Sequence, residues 1–264
     1  MKLEELREIF DHQQRVDVDY PDIQREDGPL TVRHINLRPA ERGFVIYSRL
    51  DESNADAAIE AEIARFRAAG QDFTWKVYDH DTPPDLKARL TTRGFSAQEL
   101  EAVLVLDMDS APPAFFHPPA QTARRLSDPE AVLAAFEAVE VPVWQDEGMR
   151  ELGALLVDEM LANPQELSFF AVYAQEQPVS LAWIRYHPGT QFASLWGGST
   201  LEAYRGQGAY QALLAARAIE ARQRGARFLT VDASPMSEPI LLRRGFQPIS
   251  RAQDFEYTFE AGPV

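Results

Sequence analysis

Cysteine, long apolar runs and a surplus of basic charge are all missing from this chain. Because there is no cysteine among the 264 residues, disulfides, thiolate metal sites and a cysteine nucleophile are excluded. No apolar run approaches the ~20 residues that a membrane-spanning helix needs. The N-terminal sequence MKLEELREIF is charged, unlike a secretory signal. These absences indicate a cytoplasmic protein with no membrane partner.

The charge is acidic throughout. The net charge is −15: residues 1–110 hold 14 basic and 23 acidic side chains, and residues 111–264 hold 12 and 18. Binding to a phosphate backbone needs a basic surplus, so nucleic acid is excluded as a partner. An acidic surface attracts a cationic acceptor such as an amine. Solubility is the alternative explanation of the same charge. The five histidines share no metal-ligand spacing, so we expect no metal site.

A glycine-containing loop lies between a predicted strand and a predicted helix. Residues 192–200 (FASLWGGST) are typical of a short apolar strand, and residues 209–224 have apolar side chains at helical spacing. Between them is RGQGAY, Arg205 to Tyr210, whose two glycines let the backbone turn tightly. The unpaired N–H groups at the start of a helix attract an anion. The sequence therefore predicts a phosphate-binding loop.

One short sequence motif occurs twice in similar form. LTTRGF (residues 90–95) and LLRRGF (residues 241–246) each end a short predicted helix and are each followed by a predicted strand, at 102–107 and 254–259. An apolar strand precedes each helix, so the order strand–helix–strand repeats and predicts two related lobes. Chance is the alternative, because helices commonly end in glycine.

A proline-dense segment, residues 111–120, separates the two halves and is predicted to be a semi-rigid linker. The predicted domains are therefore residues 1–110 and residues 121–264. In the first, a strand at 43–50 runs through Asp51–Asn54 into a helix at 55–69 without a glycine or an arginine. Acidic residues there repel a phosphate. Only the second domain is predicted to bind one.

The loop Arg205–Tyr210, the preceding Tyr204 and the later pair Gly245-Phe246 together resemble the signature of the GNAT superfamily, the acetyl-CoA-dependent N-acetyltransferases. The likeness covers roughly residues 121–260, whereas residues 1–110 are similar only in outline, as in tandem GNAT proteins with one degenerate lobe. The resemblance implies an α/β (α+β) fold of two GNAT-like lobes, each a mixed, mostly antiparallel sheet flanked by helices.

The resemblance also implies where acetyl-CoA binds. Its amide arm would lie along the strand 192–200 and its pyrophosphate on the N–H groups of the loop. A backbone N–H within residues 199–201 would be the oxyanion donor. Arg205 would clamp a phosphate, or it is a surface arginine. The implied cofactor-binding residues are Ser199, Thr200, Leu201, Arg205, Gly206, Gln207, Gly208, Ala209, Tyr210 and Ser234.

Three residues depart from the family pattern. Tyr210 stands where the family prefers a small residue, Ser234 where many members have asparagine, and Leu241 where many have the tyrosine that protonates the departing thiolate. Backbone donors do not depend on the Tyr210 side chain, so we expect binding to survive. Transfer without the tyrosine is feasible because a coenzyme A thiolate is a tolerable leaving group near neutral pH.

Candidate catalytic and acceptor-binding residues lie around the loop. Glu202 and Asp232 are candidate general bases, with surface solvation and turn capping as the alternatives. Trp144, Trp183 and Trp196 are candidate walls of an acceptor pocket, with the core as the alternative. The acids at 146 and 147 are expected to cap a helix or to hold a cationic acceptor.

Three functions fit these residues. The first is transfer of an acetyl group from acetyl-CoA to a primary amine, on a small molecule or a peptide, by a monomer or homodimer. The second is a non-catalytic coenzyme A sensor, motivated by Leu241. The third, a dinucleotide binder, fits poorly because Gln211 occupies the third glycine position of that fingerprint.

Overall fold

The computed structural model describes residues 1–38, 41–116 and 121–259. The last four positions of the predicted linker, 117–120, lie outside these residues. Within the described ranges, no helix is long and apolar enough to cross a membrane.

The described residues form eleven strands and eight α-helices. The strands are β1 (Ile23–Asp27), β2 (Thr31–Asn36), β3 (Gly43–Ser48), β4 (Phe73–Tyr78), β5 (Ser96–Asp107), β6 (Ala123–Leu126), β7 (Leu167–Ala174), β8 (Gln177–Tyr186), β9 (Phe192–Thr200), β10 (Phe228–Ala233) and β11 (Gln247–Tyr257). The α-helices are α1 (Leu3–Phe10), α2 (Ala55–Ala69), α3 (Leu86–Thr92), α4 (Pro129–Ala135), α5 (Val141–Trp144), α6 (Gly148–Ala162), α7 (Ala209–Gln223) and α8 (Glu238–Leu242). Two π-helical segments, Asp11–Val16 and Phe136–Glu140, continue α1 and α4.

The chain forms two compact units, and their boundaries differ from the predicted domains. Unit 1 comprises Met1–Leu104, Asp232–Leu242 and Gln247–Val264, and unit 2 comprises Val105–Val231 and Arg243–Phe246. The C-terminal strand belongs to unit 1 because β11 pairs antiparallel with β4, from Ala252 opposite Tyr78 to Tyr257 opposite Phe73. Phe255 of β11 is buried in the same core as Trp75 of β4.

Each unit contains a mixed, mostly antiparallel sheet, which confirms the predicted fold class. In unit 1 the strand order is β1-β2-β3-β4-β11-β5, and only the pair β3/β4 among the registered pairs is parallel. In unit 2 the order is β10-β9-β8-β7-β6, with β9/β10 parallel and the other pairs antiparallel.

The strand–helix–strand order predicted for the two repeated sequences is present as β4–α3–β5 and β10–α8–β11, and another such order occurs around α2 and around α7. In unit 1, β3 is followed by the 15-residue helix α2 and the parallel strand β4. In unit 2, β9 is followed by the 15-residue helix α7 and the parallel strand β10. A helix on the connection is what a parallel pair requires, since a tight turn cannot join its strands. Both units are therefore built around the same strand–helix–strand crossover.

Part of the predicted linker is packed rather than extended. Residues Pro113–Phe116 form one turn of 3-10 helix. The Phe115 ring is buried, with its centroid 5.5 Å from that of Phe116 and 6.2 Å from that of Phe246.

In unit 1, a buried arginine joins the first helical segment to the sheet. The guanidinium of Arg15 donates two 2.8 Å bonds to Asp81, one of 2.9 Å to Asp11 and one of 2.9 Å to the Ile46 carbonyl. Its carbon also lies 3.9 Å from the centroid of the Tyr78 ring. Because Arg15 and Asp81 are both buried, each depends on the other for its charge to be tolerated.

We expect Arg15→Met to lower the free energy of unfolding by about 3–5 kcal/mol, because it leaves buried carboxylates without their cation. The control is Arg25→Met, whose partner Asp19 is exposed; its loss should cost no more than about 1 kcal/mol. Urea unfolding followed by circular dichroism measures both. Equal effects in the two variants would contradict the role given to Arg15.

Candidate active site

The strand β9 carries a bulge just before its end. Leu181 of β8 lies opposite Ser199, whereas the next residue, Ala182, lies opposite Gly197, so Gly198 is additional. Gly197 and Gly198 have φ angles of +66° and +98°, which favour glycine. A Cβ atom on Gly198 would lie 2.8 Å from the Tyr210 ring. Glycine is therefore required at the bulge for both conformation and space.

Beyond the first third of β9, the parallel partner strand is absent. The register of β9 with β10 runs from Phe192 opposite Phe228 to Ser194 opposite Thr230 and stops there. Within the described part of unit 2, residues 195–200 of β9 thus have no partner on that side. Unpaired N–H and C=O groups along a strand edge can hydrogen-bond an extended chain.

After β9 the chain makes a 3-10 turn, Glu202–Tyr204, and then the predicted loop, which ends at the N-cap of α7. Gly206 and Gly208 have φ angles of +73° and +90°, and a Cβ on either would meet no atom within 4 Å. Among the described residues, nothing accepts a hydrogen bond from the backbone N–H groups of residues 206–211. The loop therefore presents free donors to open space.

The side chains of the loop leave these donors uncovered. Arg205 is exposed, and its Nε donates to the Thr200 carbonyl at 3.1 Å. Gln207 donates to the Ala203 carbonyl at 2.8 Å. The Tyr210 ring packs against Gly198 instead of lying over the loop. This packing explains how a large residue is accommodated at a position where the family prefers a small one.

The matching place in unit 1 is closed by its own side chains. Asp51 Oδ1 accepts from the backbone N–H groups of Ser53 (2.8 Å) and Asn54 (3.1 Å), ahead of α2. The Ser53 hydroxyl also donates to it, and these bonds lower the pKa of Asp51. A carboxylate already occupies the donors that an anion would use.

Arg217 of α7 connects the helix to the strands at the bulge. Its Nη1 donates to the carbonyls of Trp183 (3.1 Å) and Trp196 (3.0 Å), which lie opposite each other on β8 and β9. The side chain is 1% exposed, and this burial lowers the pKa of Arg217 to about 10. The residue therefore fixes the start of the bulge relative to α7.

A buried carboxylate lies on the opposite face of the sheet from α7. Glu140, in the segment Phe136–Glu140, is 1% exposed, and its Oε2 accepts from the Ser199 hydroxyl (2.8 Å) and from Trp144 Nε1 (2.9 Å). Its other oxygen, Oε1, has no hydrogen-bond partner among the described residues. Burial raises the pKa of Glu140 to about 7, against the two hydrogen bonds, which lower it.

The three tryptophans named from sequence have different environments. Trp183 is buried, with ring centroids of Phe136 and Phe169 at 5.4 and 6.2 Å. Trp144 and Trp196 are exposed by 63% and 46%. Trp196 Nε1 donates to Ser194 Oγ at 2.9 Å. Acceptor binding stays a prediction for all three, and exposure favours Trp144 and Trp196.

Three of the predicted site residues belong to unit 1. Asp232 forms an ion pair with Lys76, with 2.5 Å between Oδ2 and Nζ. The Ser234 carbonyl accepts from the N–H of Glu238 at 2.9 Å at the start of α8, and Leu241 in α8 is fully buried.

Glu202, in unit 2, is exposed. Asp146, in contrast, has the capping role expected from sequence, since its Oδ1 accepts from the Gly148 N–H at 2.9 Å. The roles of Glu202 and Asp232 as bases stay predictions. No cluster of three potential metal ligands occurs in the described ranges.

Sequence analysis missed Glu140 because no recognised motif surrounds it. One signal could have found it: Glu140 follows the core residue Phe136 by four positions, so both lie on one face of a helical segment. A glutamate on a core-facing stripe is unusual enough to mark a functional candidate.

Comparison with known proteins agrees with this geometry. Residues 130–246 match the model of the acetyltransferase (GNAT) family. No curated protein sequence matches the chain. Many solved structures resemble it at low sequence identity, and three of them are described below.

A GCN5-related N-acetyltransferase from Kribbella flavida has a TM-score of 0.67 and 16% identity, over 96% of this chain and 95% of its own. A tandem GNAT protein from the clavulanic acid biosynthesis pathway has a TM-score of 0.63 and 15% identity, over 94% and 86%. A GCN5-related N-acetyltransferase from Sphaerobacter thermophilus has a TM-score of 0.61 and 15% identity, over 86% and 76%. At such identities these likenesses show the fold.

The matched segment contains the bulged strand β9, the free donors of residues 206–211 and the pair Gly245-Phe246. Residues 130–246 are thus similar to the acetyltransferase (GNAT) family, and the fold of the chain resembles that of solved GCN5-related N-acetyltransferases.

Proposed function

We propose that the chain transfers an acetyl group from acetyl-CoA to a primary amine. The observation that carries this proposal is the set of unpartnered N–H groups at residues 206–211, which directly follows a strand with a free edge. The donors suit a pyrophosphate, since the positive end of the α7 dipole adds to them. The free edge of β9 suits an extended chain that carries amide groups.

The residues present fit coenzyme A. The loop holds no side chain over its donors, and a Cβ on Gly206 or Gly208 would enter empty space. When bound, acetyl-CoA supplies the acetyl group as a thioester. Residues 206–211 would hold the pyrophosphate, and residues 195–200 would hydrogen-bond the amide arm. Within the predicted range of oxyanion donors, the Leu201 N–H already donates to the Val179 carbonyl of β8 at 3.0 Å. Because N–H groups alternate in direction along a strand, Thr200 is the better candidate.

The acceptor is proposed to be an amine on a small molecule or a peptide. The net charge of −15 favours the approach of a cation. The exposed ring of Trp144 or Trp196 could stack on the alkyl ammonium. The amine must lose a proton before it attacks the thioester, so a nearby base is needed.

Thiol release separates the enzyme from the sensor. Purified protein with acetyl-CoA and a panel of primary amines should release free thiol at a rate above the amine-free control. Tight binding of coenzyme A without turnover across the panel would favour the sensor. Leu241 agrees with the sensor, because its side chain has no ionisable proton to give to the thiolate. Calorimetric titration with NAD should show no binding. Saturable binding of NAD together with no binding of coenzyme A would contradict both the acetyltransferase and the sensor.

Gly208→Asp should abolish coenzyme A binding. At the N-cap position an aspartate accepts the N–H groups of the first helical turn. Its carboxylate would therefore occupy the donors and repel the pyrophosphate, as Asp51 does ahead of α2. We expect the dissociation constant from calorimetry to rise at least about 100-fold, which corresponds to about 2.7 kcal/mol.

Gly189→Asp is the matched control. Gly189 also has a positive φ, of +79°, with open space around its Cβ, but it lies at the turn between β8 and β9. The substitution Gly189→Asp adds the same charge as Gly208→Asp and a similar backbone strain, of about 1–3 kcal/mol. Equal weakening in both variants would show that strain or net charge, and not the loop, is responsible.

Arg205→Ala should weaken coenzyme A binding by about tenfold, since a hydrogen bond to a charged group contributes about 1.5–3 kcal/mol. Arg222→Ala removes the same charge from an exposed position in the last turn of α7 and should leave the dissociation constant unchanged. Calorimetry at two salt concentrations measures both. An unchanged affinity in Arg205→Ala would make Arg205 a surface arginine.

A further inference from the structure

Glu140 contacts the part of β9 that the cofactor is proposed to use. Its carboxylate accepts from the hydroxyl of Ser199, one residue after the bulge. Ser199 lies within residues 195–200, the half of β9 without a β10 partner. The carboxylate is therefore next to the free strand edge, whereas Glu202 is exposed on the turn that follows it.

One oxygen of this carboxylate lacks a donor. Oε2 has two, from Ser199 and Trp144, but Oε1 is buried without any in the described part of the chain. Most buried polar atoms in folded proteins have a partner, because an unmade hydrogen bond costs free energy. An ammonium group of a bound acceptor would supply the missing donor.

The exposed ring of Trp144 adjoins the same carboxylate, at its other oxygen, Oε2. Trp144 Nε1 is shared between Glu140 Oε2 and Ser199 Oγ, at 2.9 and 3.2 Å, so the indole is held edge-on to the carboxylate. Its remaining surface is 63% exposed. A rigid aromatic surface beside an anion is the arrangement that recognises an alkyl ammonium.

No other charge competes for the carboxylate. The segment Phe136–Glu140 packs against α4, α5, α6, β8 and β9. The last of these and α5 carry no charged residue. The charged residues of the other elements are Glu130 on α4, Arg150, Glu151, Asp158 and Glu159 on α6, and Arg185 on β8, and the segment itself also contains Glu137. Arg150 pairs with Glu137 and Arg185 pairs with Glu159. None of these charges shifts the pKa of Glu140.

We propose that Glu140 Oε1 is the group that removes the proton from the acceptor's ammonium, an inference that rests on the proposed acetyl transfer. An N–H bond of the ammonium breaks and an O–H bond to Glu140 forms, which leaves the nitrogen lone pair free. The amine then forms a bond to the acetyl carbon, the carbon–sulfur bond breaks, and the second nitrogen proton leaves to solvent. The thiolate takes up the proton from Glu140, so the carboxylate is restored.

Burial suits Glu140 to this step. A base works best when the pKa of its conjugate acid lies near the working pH. Burial raises the pKa of Glu140 to about 7, well above the ordinary 4.5 of a glutamate. An approaching ammonium therefore meets a carboxylate that is more basic than an ordinary glutamate and that can release a proton again near neutral pH.

The first test uses the protein without ligand. In the wild type the pKa of Glu140 is higher in the folded chain than in the unfolded chain, so folding stability falls as the pH rises from about 4.5 through 7. Glu140→Gln has no such loss. We expect its Tm relative to wild type to rise by several degrees between pH 5 and pH 8. A Tm difference that stays constant from pH 5 to pH 8 would contradict the raised pKa of Glu140.

Trp144 reports the same protonation directly. The wild-type tryptophan fluorescence should titrate with a midpoint near 7, because the indole donates to the Glu140 carboxylate. The titration should be lost in both Glu140→Gln and Trp144→Phe, although Trp75, Trp183 and Trp196 remain in each.

The second test is the pH profile of kcat/KM, with the amine that gives the fastest thiol release. Wild type should rise through a midpoint equal to that from fluorescence. In Glu140→Gln, kcat/KM should no longer rise with pH, and its value at pH 7 should be about 10²–10⁴-fold lower than that of wild type. Glu137→Gln, a carboxylate on the same segment that is exposed and paired with Arg150, should keep the wild-type profile.

The outcomes distinguish the two proposals. Glu140→Gln with wild-type kcat/KM from pH 6 to 9 would overturn the role of Glu140 and leave acetyl transfer intact. Wild-type protein that binds coenzyme A but releases no thiol with any amine would overturn acetyl transfer, and the role of Glu140 with it. A fluorescence titration unchanged in Glu140→Gln would overturn the inference independently of activity.

Discussion

The hydrogen bonds of Arg217 hold together the two features on which the site of unit 2 depends. The first is the proposed anion site, the N–H groups of residues 206–211 at the start of α7, and the second is the free strand edge at the end of β9. The guanidinium joins them, because it extends from α7 to the carbonyls of Trp183 and Trp196 where the bulge begins. Charged groups are rarely buried without an opposite charge, since desolvation is costly. Here two backbone carbonyls accept hydrogen bonds from the buried guanidinium.

The elements that could be predicted from sequence are those whose local signals agree with the final packing. The bounds of α2, β4 and β9 were predicted to the residue, because a capping glycine or a run of apolar residues marks each of them. The strands β1 and β2 were missed: β1 is polar, and its residues are only partly buried. The place of β11 in unit 1 could not be predicted, because pairing across more than 170 positions leaves no local trace.

The candidate site divides in the same way. The conformation of the loop at residues 205–210 was predictable, since the glycines at 206 and 208 indicate positive φ angles, whereas its role in binding stays a prediction. The carboxylate of Glu140 was not predictable, since its importance lies in what surrounds it: an apolar face, one hydroxyl and one indole. The same letter in the sequence describes Glu137, which is exposed and paired with Arg150. Burial gives Glu140 its raised pKa, so the sequence alone could not distinguish it from Glu137.

The self-capped turn ahead of α2 has a consequence for how the protein responds to its ligand. Two helices of equal length begin in comparable places, but Asp51 accepts the N–H groups of Ser53 and Asn54 ahead of α2, whereas no described residue accepts those of residues 206–211 ahead of and at the start of α7. If acetyl-CoA binds as proposed, we expect one equivalent per chain, because the described residues offer one such glycine loop. Saturation by cofactor should follow a simple hyperbola, and any sigmoidal response would have to arise from association between chains.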